Sequence, residues 1–248
     1  MIKLLNLSII CLVLISCASE KLEGKTEAEV LYKEAETLVK EERYLLATEK
    51  LNNIKNQYPY SYYATPAELM QADIFFFQES YVEAAAAYLM FKDLHPKHEK
   101  ISYVVYKVAE SFYRQIPETN DRDLEPAVEA IKYYQELITK YPSSEQIKDG
   151  LKKIAECKNK LKAKEQYIAD FYFKTEVFDA ARWRYLEILN TFEDKKLRSH
   201  SMQRIILSSY YLKDYKNCLK YSENYSSDLK SSDKKIASEY SKYCKNKL

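Results

Sequence analysis

Two histidines are the residues of this chain whose type and spacing most suggest metal chemistry. His95 and His98 lie three residues apart, and Glu99 follows directly. Imidazole and carboxylate groups at helical spacing can begin a zinc site, but such a site needs three or four protein ligands. No Cys, Asp or third His completes a recognisable set of ligands. His95 also stands directly before Pro96, at a place where other segments of this chain have Tyr before Pro, as in Tyr58-Pro59. We therefore expect no metal site here.

A short acidic stretch, Asp121-Arg122-Asp123, is the second candidate for chemistry. Side chains of consecutive residues cannot easily face one substrate atom, as a pair of catalytic carboxylates at this spacing would have to. A structural ion pair or a loop cap explains the stretch better. No nucleophile with an adjacent base can be inferred elsewhere in the chain. We predict no catalytic residue and a protein that is not an enzyme.

The glycine count and the charge exclude further classes of site. The 248 residues include two glycines, Gly24 and Gly150. Loops that cradle phosphate groups or dinucleotides need several glycines, because only glycine permits their close backbone approach. The net charge is +2, with both signs interspersed, so no basic face is expected for a nucleic acid. We expect no cofactor and no nucleic-acid partner.

The N-terminal segment has the features of an export signal. An apolar run from Leu4 to Ile15 follows Lys3 and precedes small residues. A membrane-spanning helix needs about 20 apolar residues, so this run is too short to span and instead fits a signal that is removed. Its end, Leu14-Ile15-Ser16-Cys17, resembles the lipobox of bacterial lipoproteins, which implies that Cys17 is the lipidated first residue of the mature chain. The alternative is an ordinary signal peptide with an incidental cysteine.

The other cysteines do not suggest a disulfide scaffold. Cys11 lies in the apolar run, and Cys157, Cys218 and Cys244 are far apart in the rest of the chain. Three thiols allow at most one disulfide. We expect all three to be buried structural thiols in helices.

A repeated pattern defines the elements that position these residues. Apolar or aromatic residues recur at offsets 0, +3, +7, +10 and +14, which is one face of a helix. A small residue at +3 lets helices approach closely, and in the first three copies a proline after +14 ends the helix. The five copies begin at Tyr44, Tyr81, Ala127, Phe178 and Tyr215.

Helical segments precede the copies, so the pattern predicts an all-α fold of repeated helix pairs. The first four of these segments are expected at 27–39, 66–77, 103–114 and 167–174. The copies begin 37, 46, 51 and 37 residues apart, near the length of about 34 of a tetratricopeptide repeat. We predict a tetratricopeptide-like helical solenoid of about five helix pairs.

The longest spacing contains an extra helix from Ser143 to Glu165, which we expect Ser144 to cap. We expect residues 1–16 to be the cleaved signal peptide and 17–26 a lipidated tether. Residues 27–142 then form three N-terminal repeats, and 143–248 form the linking helix with two C-terminal repeats.

Four sequence strings in the repeats indicate which family of repeat proteins the chain resembles. Together with the lipobox and the five helix pairs, they resemble the BamD family, the lipoprotein subunits of the outer-membrane β-barrel assembly machinery. The strings are QYPYSYYA from Gln57, LHPKHEKISYVVY from Leu94, NDRDLEPAVEAIKYYQELITKYPSSEQ from Asn120 and KLKAKEQYIADFYF from Lys160. The resemblance covers about residues 29–193.

The resemblance implies a lipid-anchored protein on the periplasmic face of the outer membrane. Its partners would be a BamA-like barrel protein and unfolded precursors of outer-membrane proteins. The N-terminal groove for precursor peptides would involve Tyr58, Pro59, Tyr60 and Tyr63. The family string commonly reads Tyr-Pro-Phe-Gly-Pro-Tyr, and this chain has Ser61-Tyr62 in place of Gly-Pro.

On the BamA side the resemblance implies a role for Arg184, which occupies an arginine position of the family's fourth repeat. A guanidinium can bind a partner's carboxylate with two parallel hydrogen bonds. The alternative is an arginine on a solvated helix face. For the whole chain, the alternative function is that of another tetratricopeptide lipoprotein, serving pilus or secretin assembly or cell-wall processes.

Overall fold

The computed structural model describes residues 26–248, so Cys17 and the signal and tether regions before residue 26 lie outside the described residues. All regular structure in residues 26–248 is helical. The eleven helices of this range are α1 (Glu27–Lys40), α2 (Tyr44–Gln57), α3 (Ala64–Phe77), α4 (Tyr81–Leu94), α5 (Ile101–Arg114), α6 (Glu125–Lys140), α7 (Ile147–Lys174), α8 (Phe178–Thr191), α9 (Lys195–Tyr211), α10 (Tyr215–Tyr225) and α11 (Ser231–Lys245).

The helices belong to two compact units. The first ends at Ser80 and contains α1 to α3, and the second runs from Tyr81 to Leu248 and contains α4 to α11. Within each unit every helix packs on its neighbours in sequence. Connections of three to ten residues make such neighbours antiparallel. The predicted all-α architecture of helix pairs is therefore confirmed.

The repeated offsets mark the buried face of the second helix in each pair. In the first copy the residues at +3, +7 and +10 are Ala47, Leu51 and Ile54, and all three are fully buried. The same offsets in the next three copies are buried as well. Those residues are Ala84, Tyr88, Phe91, Ala130, Tyr134, Leu137, Ala181, Tyr185 and Ile188. The small residue at +3 permits close helix packing, and the larger ones fill the core.

Four turns share one backbone conformation that the residue types at these positions do not predict. Each turn follows the first helix of a pair and holds a residue with φ between 58° and 65°: Glu42, Glu79, Glu176 and Lys213. The next residue donates its N–H to a carbonyl five residues earlier, as Val177 does to Tyr172 over 2.9 Å. This is the Schellman helix end, in which glycine is the usual residue.

The linking helix differs from its prediction. Instead of a separate helix to Glu165 and another from Tyr167, one helix of 28 residues runs from Ile147 to Lys174. The segment holds no proline and no helix-ending turn, so nothing interrupts it. The Ser144 hydroxyl accepts from the N–H of Gln146 over 3.4 Å, and Gln146 itself is the N-cap residue, so the predicted Ser144 cap was wrong.

Gly150 explains how α7 approaches α6 closely. A Cβ atom at this position would lie 3.2 Å from the ring of Tyr134, which is tighter than ordinary packing. The glycine therefore makes room for the buried +7 tyrosine of the third repeat. The predicted boundary between the N-terminal and C-terminal repeats, between residues 142 and 143, lies within the second unit, in the turn before α7.

The prediction of three buried structural thiols is wrong for two of the cysteines and confirmed for the third. Cys218 of α10 and Cys244 of α11 form a disulfide, so the expectation of free thiols was wrong for this pair. Both side chains are fully buried where the two helices pack together, which brings them within bonding range. Cys157 is a buried free thiol, as expected. Helix α11 follows the fifth pair and covers its apolar face, as a capping element does in a solenoid.

Candidate functional site

The loop from Tyr58 to Tyr63 joins α2 to α3 in the first unit. Tyr58 ends α2, and its hydroxyl donates a 2.6 Å hydrogen bond to Glu27 at the start of α1. This bond raises the pKa of the Tyr58 hydroxyl above its ordinary value. Two successive turns form the loop, with Ser61 N–H bonded to the Tyr58 carbonyl and Ala64 N–H bonded to the Ser61 carbonyl.

The loop presents some tyrosines to solvent and anchors others. The Tyr63 ring packs against Tyr32 of α1 at a centroid distance of 5.3 Å, and Tyr62 stands edge-on to Tyr63 at 5.4 Å. Tyr60 is fully exposed and Tyr62 is 85% exposed. Pro59 is exposed too. Of the four predicted loop residues, Tyr58 and Tyr63 are anchored and Pro59 and Tyr60 are exposed.

Tyr62 is a candidate binding residue that the sequence analysis left out of the site. Its ring is exposed beside Tyr60 in a loop whose ends are fixed by Tyr58 and Tyr63. Exposed tyrosine rings supply large contact area at low conformational cost, because only two side-chain torsions must be fixed. The signal was present in the string Tyr60-Ser61-Tyr62-Tyr63, but Tyr62 stands where the family string has proline, so the resemblance did not indicate it.

Arg184 lies on α8 in the second unit. Its Nη1 is 3.6 Å from a carboxylate oxygen of Glu165 on α7, and both side chains are about one third exposed. Its guanidinium also lies 5.0 Å from the centroid of the Trp183 ring. An exposed ion pair of this length contributes less than about 1 kcal/mol. A carboxylate on a partner could therefore replace Glu165 at little cost.

Trp183 is the second residue that the sequence analysis did not select. It is the only tryptophan in the sequence and is 56% exposed. Tryptophan and arginine are the residue types that contribute most often to the binding energy of protein interfaces. Their adjacency in the string Ala181-Arg182-Trp183-Arg184 was the available signal.

Buried and partly buried polar contacts hold α8 in place. Arg182 forms a 2.7 Å ion pair with Asp214, in the turn before α10. One turn further along α8, the hydroxyl of Tyr185 donates to Asp170 of α7 over 2.6 Å, and His200 of α9 bonds the same oxygen over 2.8 Å. These contacts fix α8 against its neighbours, so Arg184 and Trp183 project from a rigid element.

The charge state of Asp170 follows from its surroundings. Burial raises the pKa of this carboxyl, but hydrogen bonds from His200 and Tyr185 outweigh that effect and hold the pKa below its ordinary value. The third repeat has the corresponding arrangement, with buried Glu110 accepting from Tyr134 and Lys153. In both repeats the +7 tyrosine satisfies an acid of the preceding helix. These networks are structural.

The residues first considered for chemistry have packing or capping roles. The rings of His95 and His98 both lie against Phe91, at centroid distances of 4.8 and 5.1 Å. Asp123 accepts from the backbone N–H of Glu125 at the start of α6, which confirms the loop-cap interpretation. In the described part of the chain no group of three His, Cys, Asp or Glu side chains is arranged to hold a metal ion. None of its helices is long and apolar enough to cross a membrane.

Comparison with known proteins decides the family. Residues 25–225 match the family model YfiO, described as an outer membrane lipoprotein. A relative from Rickettsia prowazekii, named outer membrane protein assembly factor BamD, is 31% identical over 222 residues and covers 88% of each chain. The chain belongs to the BamD family.

Other BamD proteins are more distant but similar over most of their length. The one from Vibrio cholerae is 28% identical over 189 residues, covering 73% of this chain and 78% of its own. The BamD protein from Neisseria gonorrhoeae is 24% identical over 183 residues, covering 70% of this chain and 68% of its own. The family match contains both the tyrosine loop and Arg184. Cys17 and α11 lie beyond it.

Proposed function

We propose that this chain is a non-catalytic scaffold of the β-barrel assembly machinery, anchored by lipid at Cys17 to the outer membrane and facing the periplasm. The family membership over residues 25–225 is the observation that carries the proposal. The disulfide between Cys218 and Cys244 supports export, because such bonds persist in oxidising compartments and are rare in the cytosol.

The proposed contact with a BamA-like partner involves α8. Arg184 is partly exposed, its own acid partner is 3.6 Å away, and Trp183 adds an exposed apolar ring beside it. A carboxylate on the partner would bind the guanidinium, and the indole would pack against an apolar side chain. The contacts of Arg182 and Tyr185 keep α8 rigid, which reduces the entropy lost on binding.

The proposed contact with unfolded barrel precursors involves the loop of Tyr58, Pro59, Tyr60 and Tyr63, extended here by Tyr62. Extended apolar segments of a precursor can pack on the exposed rings of Tyr60 and Tyr62. Tyr58 and Tyr63 hold the loop through Glu27 and Tyr32.

Depletion of the chain from cells tests this function. We expect the amount of folded outer-membrane barrel proteins to fall several-fold while their unfolded precursors accumulate in the periplasm. Heat-modifiable mobility in gel electrophoresis, which separates folded from unfolded barrels, measures this. Complementation with the native chain should restore assembly. Unchanged assembly of barrel proteins, with loss of a secretin or pilus instead, would contradict the proposal and support the alternative tetratricopeptide lipoprotein.

A further inference from the structure

A groove lies in the second unit, at the junction of α7, α8 and α9. Its volume is about 760 Å³, within the range of typical binding sites. It is open to solvent beside the turn that joins α7 to α8. Neither the tyrosine loop nor Arg184 lines it.

Three aromatic rings form one wall of this groove. Phe178 of α8 stacks on Tyr211 of α9 at a centroid distance of 4.6 Å, and Phe173 of α7 stands edge-on to both, at 5.5 and 6.2 Å. The hydroxyl of Tyr211 is held by a 2.7 Å hydrogen bond to Tyr240. Mutual packing thus fixes the rings, and their free surfaces offer a rigid apolar platform.

Arg204 of α9 supplies the charge of the groove. Its guanidinium carbon lies 4.3 Å from the centroid of Phe173. Within residues 26–248 it forms no ion pair, and its buried Nε has no hydrogen-bond partner in that range. The three other arginines of α8 and α9 each pair with an acid: Arg182 with Asp214, Arg184 with Glu165 and Arg198 with Glu193. Arg204 is therefore the exception among them.

Within residues 26–248 the other charged residues of the groove form no ion pair with Arg204. Asp170 already accepts hydrogen bonds from Tyr185, His200 and Gln166. Lys174 and Glu176 are exposed at the rim, where solvent screens their charges. The groove thus combines one stacked, unpaired guanidinium with an aromatic wall.

We propose that this groove binds a segment of a partner protein in which an aromatic side chain lies next to an Asp or Glu. The carboxylate would bind the guanidinium of Arg204, which its stacking on Phe173 already orients. The adjacent ring would pack on Phe178 and Tyr211, as aromatic anchors do in protein interfaces. The inference does not depend on the proposed function, because it concerns a different surface and is tested on the purified chain.

The test uses a fluorescein-labelled hexapeptide of alternating Phe and Asp, with blocked termini, in fluorescence polarisation. The native chain should bind it saturably below about 1 mM, and Arg204→Gln should weaken binding roughly tenfold. The matched control is Arg122→Gln, the same loss of charge on an exposed loop residue, which should leave binding within twofold. A peptide with Asn in place of Asp should also bind the native chain roughly tenfold more weakly, a comparison that needs no variant to fold.

Three results would overturn the inference. The first is no saturable binding to the native chain up to about 1 mM. The second is equal binding of the Asp and Asn peptides. The third is displacement of the peptide by an equal concentration of inorganic phosphate, with phosphate binding unchanged in Tyr211→Ala, because the groove would then bind an anion without using its aromatic wall.

Discussion

At the scale of single residues, tyrosine in this chain performs two different tasks. At the +7 position of the third and fourth repeats, Tyr134 and Tyr185 are fully buried and donate to Glu110 and Asp170. A buried carboxylate without donors would be costly, so these hydroxyls stabilise the interface between successive helices. In the α2–α3 loop Tyr60 and Tyr62 instead face solvent, where they are available for binding.

The network around Asp170 makes a prediction about acid stability. The pKa of Asp170 is below its ordinary value, so its contribution to stability is present above the unfolded pKa, near 4, and is lost as pH falls through the lower folded value. Tyr185→Phe should lower the free energy of unfolding by about 1–2 kcal/mol at pH 7, because a charge-assisted hydrogen bond is lost. The difference should shrink below about pH 3.

Urea denaturation at several pH values measures this effect. The control is Tyr243→Phe, which removes an exposed hydroxyl bonded to Glu239 and should change the unfolding free energy by less than about 0.5 kcal/mol. Equal effects of the two variants at pH 7 would show that the Asp170 network does not stabilise the fold.

Arg184 carries the residue-scale prediction about partners. Arg184→Glu places a like charge against both Glu165 and a partner's carboxylate, so capture of the BamA-like protein should fall at least tenfold. Pull-down with the tagged variant measures this. Arg122→Glu, with the same charge reversal on an exposed loop, should capture normally. Normal capture by Arg184→Glu would remove this residue from the interface.

At the scale of elements, the four Schellman turns carry strain that glycine would relieve. Glu176 has φ of 65°, a conformation that costs a residue with a Cβ atom about 1 kcal/mol or more. Glu176→Gly should therefore raise the free energy of unfolding by about 0.5–1 kcal/mol. Glu187→Gly, on the exposed face of α8, should instead lower it by about 1 kcal/mol. Thermal denaturation distinguishes the two signs, and a loss of stability in Glu176→Gly would contradict the account.

The elements also show which features could be read from the sequence. Ala47, Leu51 and Ile54 repeat at helical spacing, so the buried faces and the helix pairs were predictable. The turns at Glu42 and Glu176 were not, because their residues lack the Gly or Asn that normally signals this conformation.

Long-range features were missed for a different reason. Cys218 and Cys244 are 26 residues apart, and their pairing depends on how α10 and α11 pack, which local periodicity does not specify. In the candidate site, the roles of the loop tyrosines and of Arg184 were predicted from the family resemblance and not from periodicity. The exposure of Tyr62 and Trp183 required the structure.

At the scale of the whole molecule, the proposed function depends on where the chain is held. Cys17→Ala removes the proposed acyl attachment point, and each buried CH₂ of an acyl chain contributes about 0.8 kcal/mol to anchoring. The variant should therefore move from the membrane fraction to the soluble fraction of the periplasm. Fractionation followed by immunoblotting measures this, with Cys157→Ala as a control that keeps Cys17. Full membrane retention of Cys17→Ala would refute the lipid anchor.

Purification of the full-length chain from gently solubilised outer membranes, with identification of its partners by mass spectrometry, tests the central claim most directly. The account predicts that the main partner is a large outer-membrane barrel protein with periplasmic repeat domains, recovered in near-stoichiometric amount. Recovery of only a secretin, pilus components or peptidoglycan enzymes would contradict it.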